Sequence, residues 1–214
     1  MNKHSSLLSI IKDISYGIIA TLLMGVGISL FVSCQLGSDP VTVFLDGFNK
    51  TTGISIGITD QFLNLCTLVL GIILNRKLIG ISSIVNVLVL GMCIDIPTAI
   101  FIPLHISEQS LLIRILVLII AQICLGTSFA WMQTFKSGMN PIDAIFFRII
   151  NRFNCRYFTI RVIYDGLYLL IGYILGGVIG IGTILSIVTN GYITEQAKKA
   201  IIYAQIKFGG NKNG

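Results

Sequence analysis

The sequence predicts an all-α, polytopic membrane helix bundle. Six transmembrane helices form two inverted three-helix repeats, each with a short amphipathic or re-entrant helix. The chain is 54% hydrophobic and only 11% charged, with a mean hydropathy of +0.89, far beyond a soluble domain. Six apolar stretches are long enough, or nearly so, to cross about 30 Å of hydrocarbon at about 1.5 Å per residue. The chain also says nearly the same thing twice. GVGISLFVSCQLGSDPVTVFLDGF at 25–48 aligns without a gap on GTSFAWMQTFKSGMNPIDAIFFRI at 126–149, an offset of 101.

The apolar stretches are 14–34, 58–74, 78–102, 111–135, 159–175 and 178–194. They divide the chain into an N-terminal tail (1–13), a first three-helix repeat (14–102), an external linker (103–110), a second, inverted repeat (111–195) and a basic C-terminal tail (196–214). The first stretch follows Lys3 and Lys12, as a signal peptide would. It is too long for such a core and reaches Ser33-Cys34-Gln35 with no small-residue cleavage site, so it reads as a retained helix. After one deletion the offset becomes 100, and Gly80-Ile-Ser-Ser and Gly91-Met-Cys-Ile-Asp95 fall on Gly180-Ile-Gly-Thr and Gly191-Tyr-Ile-Thr-Glu195.

A short helix follows the first span of each repeat. In the second copy Ile142, Ile145, Phe146, Ile149, Ile150 and Phe153 recur at helical spacing, with Asp143, Arg148, Asn151 and Arg152 on the other face. Val41, Phe44, Leu45 and Phe48 keep the same phase in the first. Asp39 before Pro40, and Asn140 before Pro141, match an N-cap followed by proline at the first helical position, where its missing N–H costs nothing. Gly37 and Gly138 allow the sharp turn just before. Such an N-terminus carries partial positive charge that suits an anionic ligand group, while capping alone is the plainer role for Asp39 and Asn140.

The net charge of +6 is explained by topology rather than by nucleic acid. With both termini cytoplasmic, twelve of the fifteen basic residues lie on one side: Lys3, Lys12, Arg76, Lys77, Lys136, Arg148, Arg152, Arg156, Lys198, Lys199, Lys207 and Lys212. Three spans per repeat turn the second copy upside down, and the charges agree. The GSDP loop carries Asp39, Asp46 and one Lys50, whereas the GMNP loop carries four basic residues. Inverted repeats let transporters interconvert outward-open and inward-open states; the competing reading is a symmetric bundle with no substrate.

A charge at the centre of a span costs about 2.5–3.5 kcal/mol on the insertion scale, so intramembrane acids and bases need partners or a function. Arg161 and Asp165 are one helical turn apart, and the offset sets Asp60 against Arg161 and Asn64 against Asp165. These four are expected to face a central cavity. Arg161 would hold a carboxylate or phosphate, and Asp165 or Asp60 would carry a proton; a structural salt bridge is the alternative. Asp95 and Glu195 end the third and sixth spans at opposite surfaces and are candidate gates.

Five cysteines without a C-x-x-C read as packing residues, and His4 and His105 fall on opposite sides, so no metal or cofactor is expected. No P-loop, H-E-x-x-H or G-x-S-x-G argues for catalysis.

The strings LGSDPVTVFLDGF at 36–48, TGISIG at 52–57, Gly138-Met-Asn-Pro141-Ile-Asp143, Arg161 with Asp165, and GGVIGIGTI at 176–184 resemble the YczE/YyaS/YitT family of uncharacterised bacterial integral membrane proteins. Two departures stand out. Ile142 occupies a position where that family commonly has arginine, and Asp165 one where glutamate is usual. The resemblance implies a multi-pass protein of the bacterial cytoplasmic membrane and no settled substrate. The expected function is a secondary transporter or permease for a small molecule, with the lipid bilayer as its surroundings; six spans enclose a narrow path, which admits a homodimer. The alternatives are a substrate-capture subunit of an energised transporter and a non-transport accessory or regulatory protein.

Overall fold

A computed structural model describes residues 3–134 and 140–209. Among these residues every regular element is helical: α1 (Lys3–Cys34), α2 (Pro40–Thr52), α3 (Ile56–Asn75), α4 (Ile81–Phe101), α5 (Leu111–Thr134), α6 (Pro141–Phe153), α7 (Tyr157–Ile174) and α8 (Ile181–Gly209). The six apolar stretches fall on α1, α3, α4, α5, α7 and α8.

Among the described residues four segments are long and apolar enough to cross a membrane: Asp13–Cys34, Ile56–Leu78, Ile81–Leu104 and Leu111–Thr134. α7 is short and carries Arg161 and Asp165, and α8 mixes apolar residues with Thr189, Asn190 and Glu195. α8 also continues past 194 to Gly209, so most of the expected tail is helix. The run QAKKAIIYAQIK at 196–207 is rich in strong helix formers.

Local chemistry fixes both proline-led helices. The Asp39 carboxylate accepts from the Thr42 N–H, Pro40 takes the first turn, and Gly53 ends α2 in the left-handed region at φ 74°. In α6 the Asn140 side chain accepts from the Ile142 N–H, and Asn154 closes the helix at φ 52°.

The core is α1, held between α4 and α5. Ser82 Oγ at the start of α4 donates to the Asp13 carbonyl (3.1 Å), and Thr98 Oγ1 near its end donates to Ser29 Oγ (3.0 Å), so α1 and α4 run parallel. Arg114 at the start of α5 donates to the carbonyls of Cys34 (2.9 Å) and Gln35 (3.1 Å), so α5 runs antiparallel to α1 and its cation satisfies the end of that helix. Small residues set the spacing. A Cβ on Gly25 would strike the Cys93 backbone of α4, and one on Gly126 would strike Ile193 of α8. Phe31, Leu90, Ile94 and Leu118 fill the interior.

The short helices pack across the halves. α2 lies on α7, where Gly172 meets the backbone of Val43 and Phe44; α6 lies on α3, where Gly71 meets Pro141 and Ala144. α6 is amphipathic as its periodicity predicts, with Ala144 and Phe146 buried and Arg148, Asn151 and Arg152 exposed, although Phe153 is exposed at its end. α2 differs: protein covers part of its polar side too. Thr42 and Asp46 are buried, and Asp46 accepts from Lys50 Nζ (2.8 Å) and from the Val178 N–H (3.0 Å) in the α7–α8 connection. Elsewhere Ile58, Phe62, Ile73, Leu112 and Leu116 are exposed, an outer surface compatible with lipid.

Candidate functional site

On α3, Leu63, Asn64 and Thr67 follow Asp60 at helical spacing; on α7, Tyr164, Asp165 and Tyr168 follow Arg161 in the same way. The exchange of short helices carries the N-termini of α2 and α6 to these faces. Together they enclose a cavity of about 80 Å³ whose polar lining includes Asp39, Asp60, Asn64, Asn140 and Arg161. Both members of repeated pairs line it: Met24 and Leu125, Ile28 and Phe129, Asp39 and Asn140, Val41 and Ile142, Asp60 and Arg161, Leu63 and Tyr164, Thr67 and Tyr168.

Arg161 Nε donates to Asp165 Oδ2 at 2.9 Å, and the guanidinium carbon lies 6.0 Å from the Tyr164 ring centroid. Asn64 Nδ2 donates to Asp60 Oδ2 (2.8 Å) and to the Asp60 carbonyl (3.0 Å). Asp60 is only 4% exposed. Its carboxylate feels the charge of Asp39, which in turn feels Arg161. Among the described residues no group of three or more His, Cys, Asp or Glu side chains could hold a metal ion.

Asp165 faces an adjoining cleft of about 480 Å³ between α7 and α8, along with Asn190, Gly191, Thr194 and Glu195. Phe129, Asn140, Ile142 and Arg161 are walls of both cleft and cavity. Pro40 lines the cleft, and Gly37, at φ 89°, is pressed against Gly180. Pro141 is buried against α3. Gly138 and the side chain of Asp143 lie outside the described residues.

The two candidate gates lie apart from the cavity and in different conditions. Asp95 accepts from Ser55 Oγ (2.6 Å) and from the Gly57 N–H (2.9 Å), which fastens α4 to the start of α3. It lines a recess of about 690 Å³ that shares no wall residue with the cavity. Glu195 is exposed and pairs with Lys199 at 2.8 Å, whose ammonium holds the carboxyl below its usual range.

Phe129, Thr67, Tyr164 and Tyr168 also line the cavity, and none of them carries a charge that marks it in the sequence. The signal for the last three was helical: each lies three or seven residues beyond Asp60 or Arg161.

The chain is similar to an uncharacterised protein of Haemophilus influenzae, 29% identical over 184 residues that cover 86% of this chain and 82% of the relative. It is also similar to the uncharacterised protein YyaS of Bacillus subtilis, 28% identical over 183 residues covering 85% and 90%. No solved structure matches it. A model described as a family of unknown function (DUF6198) matches residues 11–199, and the chain belongs to that family.

Proposed function

We propose that the protein is a small secondary transporter or permease that moves a small molecule by alternating access between two inverted three-helix repeats. The observation that carries this reading is the cavity's paired lining, in which Asp39 and Asn140, Asp60 and Arg161 come from matching positions of the two copies. A site shared by both halves lets either half close it.

In this reading α7 and α8 complete six spans. Their exposed Ile163, Leu170, Ile174, Ile184 and Val188 supply lipid contact that polar neighbours obscure in an average over the helix. α2 and α6 are re-entrant and enter from opposite faces, which a membrane tolerates where protein encloses the backbone. Both termini are cytoplasmic in the bacterial cytoplasmic membrane, following the basic residues. The cleft beside Lys198 and Glu195 then opens to the cytoplasm and shares walls with the cavity, while the recess beside Asp95 shares none. Ser55 and Arg156 are repeat equivalents, as are Asp95 and Glu195. In the outward-open state Asp95 releases α3, α7 closes on α8, and Glu195 meets the N-terminus of α7 beside Arg156.

The test is transport itself. Proteoliposomes loaded with a bacterial small-molecule extract are sampled over time by mass spectrometry. At least one component should leave faster than from protein-free liposomes, and Asp60→Asn with Arg161→Gln should slow it at least tenfold. If no component outruns the protein-free control, the protein is not a transporter.

A further inference from the structure

Resting on the transport reading, we infer that the ligand of the central cavity is a small organic cation with one positive charge, exchanged for a proton on Asp60. Among the described residues three carboxylates meet there: Asp39, Asp60 and, through its ion pair with Arg161, Asp165. Arg161 balances Asp165. The N-termini of α2 and α6 carry partial charges of about half a unit each, which together balance one carboxylate more, and Asp39 caps the first of them.

About one unit of negative charge is left over, and it falls on Asp60. Its bonded partner is the neutral Asn64 amide, through Oδ2 alone; Oδ1 has no partner among the described residues, and Asp39 in the same cavity acts on it as a like charge. A carboxylate this buried is costly unless it holds a proton or faces a cation.

The walls favour the cation. Phe129, Tyr164 and Tyr168 bring aromatic rings to the lining, and ring faces attract ammonium groups and repel anions. An anion aiming for Arg161 would meet Asp39 and Asp60 in the same cavity and find the guanidinium already bonded to Asp165. The volume of about 80 Å³ corresponds to roughly five water-sized groups, the scale of a methylated or short-chain amine. The exchange is balanced: the ammonium enters as the Asp60 carboxyl gives its proton to water, so the site's charge is unchanged.

The test uses the full-length protein in detergent micelles at pH 7, in weak buffer with a pH indicator. It is titrated with tetramethylammonium chloride, methylammonium chloride and, as the anionic probe, sodium acetate against sodium chloride. Either cation should raise the unfolding midpoint and release up to one proton per chain, and acetate should do neither. Asp60→Asn should abolish proton release. Tyr168→Leu, which keeps every carboxylate, should weaken tetramethylammonium binding about tenfold while saturating cation still releases the proton.

The inference is overturned if monodisperse wild-type protein responds to neither cation, if acetate stabilises it, or if Asp60→Asn releases protons like the wild type. Binding in micelles needs no flux. Cation binding without solute movement in liposomes would therefore refute transport and keep this site, and movement of solutes without cation binding would do the reverse.

Discussion

Gly91 on α4 has no room for a methyl group against Gly57 and Gln61, whereas Gly191 on α8 has nothing within 4 Å of where its Cβ would stand. The two glycines hold equivalent places in the repeat, so the neighbours decide whether the helices touch. In the first half Ser55 and the Gly57 amide offer donors that Asp95 can reach, and Gln61 Nε2 donates to the Leu88 carbonyl at 3.0 Å. In the second half the matching positions are Arg156, Phe158 and Val162, and Glu195 turns to Lys199 on its own helix. A shared backbone plan has thus been given one tight, polar fastening and one open cleft.

The contrast is sharpest in accessibility. Asn190 lines the cleft, while Leu90, its equivalent, is 1% exposed. In a protein with its native cysteines replaced by serine, Asn190→Cys should react with a water-soluble maleimide at least about a hundredfold faster than Leu90→Cys, because labelling of the latter requires local opening. Equal rates would mean that the two pairs are equally open.

Next in size is overpacking. Gly91→Leu should destabilise the protein by about 1–3 kcal/mol in thermal unfolding. Gly191→Leu should leave stability unchanged or slightly raised, since leucine is the better helix former, and on the proposed function it should arrest transport by wedging the cleft. Comparable losses from both substitutions would break the comparison.

Asp95→Ala should cost about 1–2 kcal/mol by stripping the start of α3 of its acceptor, measured in the same unfolding assay. Glu195→Ala should not shift the midpoint measurably, because its ion pair with Lys199 is exposed. A large loss from Glu195→Ala would place that carboxylate in a closed contact already.

Features written in neighbouring residues were legible in the sequence. Asp39-Pro40 and Asn140-Pro141 announce their caps within three positions, and the long apolar runs announce their helices. Of the four residues that the offset of 101 pairs, Asp60, Asn64 and Arg161 line the cavity, whereas Asp165 lines the adjoining cleft. Features that depend on distant partners were hidden. The burial of Asp46 is decided by the Val178 amide, 132 residues away, and no local pattern reports it. The open cleft was invisible for a different reason: Gly191 reads the same as Gly91, and only the surrounding side chains differ. The Lys198 and Lys199 pair suggested a tail, although the alanines and glutamines around it favour continued helix.

The seating of α2 on α7 also sets an order of events during synthesis. The ribosome completes Asp46 long before it reaches Val178, the residue whose amide the carboxylate accepts. At about 5–20 residues per second, that separation is a wait on the order of ten seconds. Throughout it, Asp46 lacks the amide of the loop after α7, and Val43 and Phe44 lack the Gly172 face of α7. A nascent chain stopped before Gly172 therefore leaves α2 without the helix it packs on, and should be degraded rather than accumulate as a stable fragment.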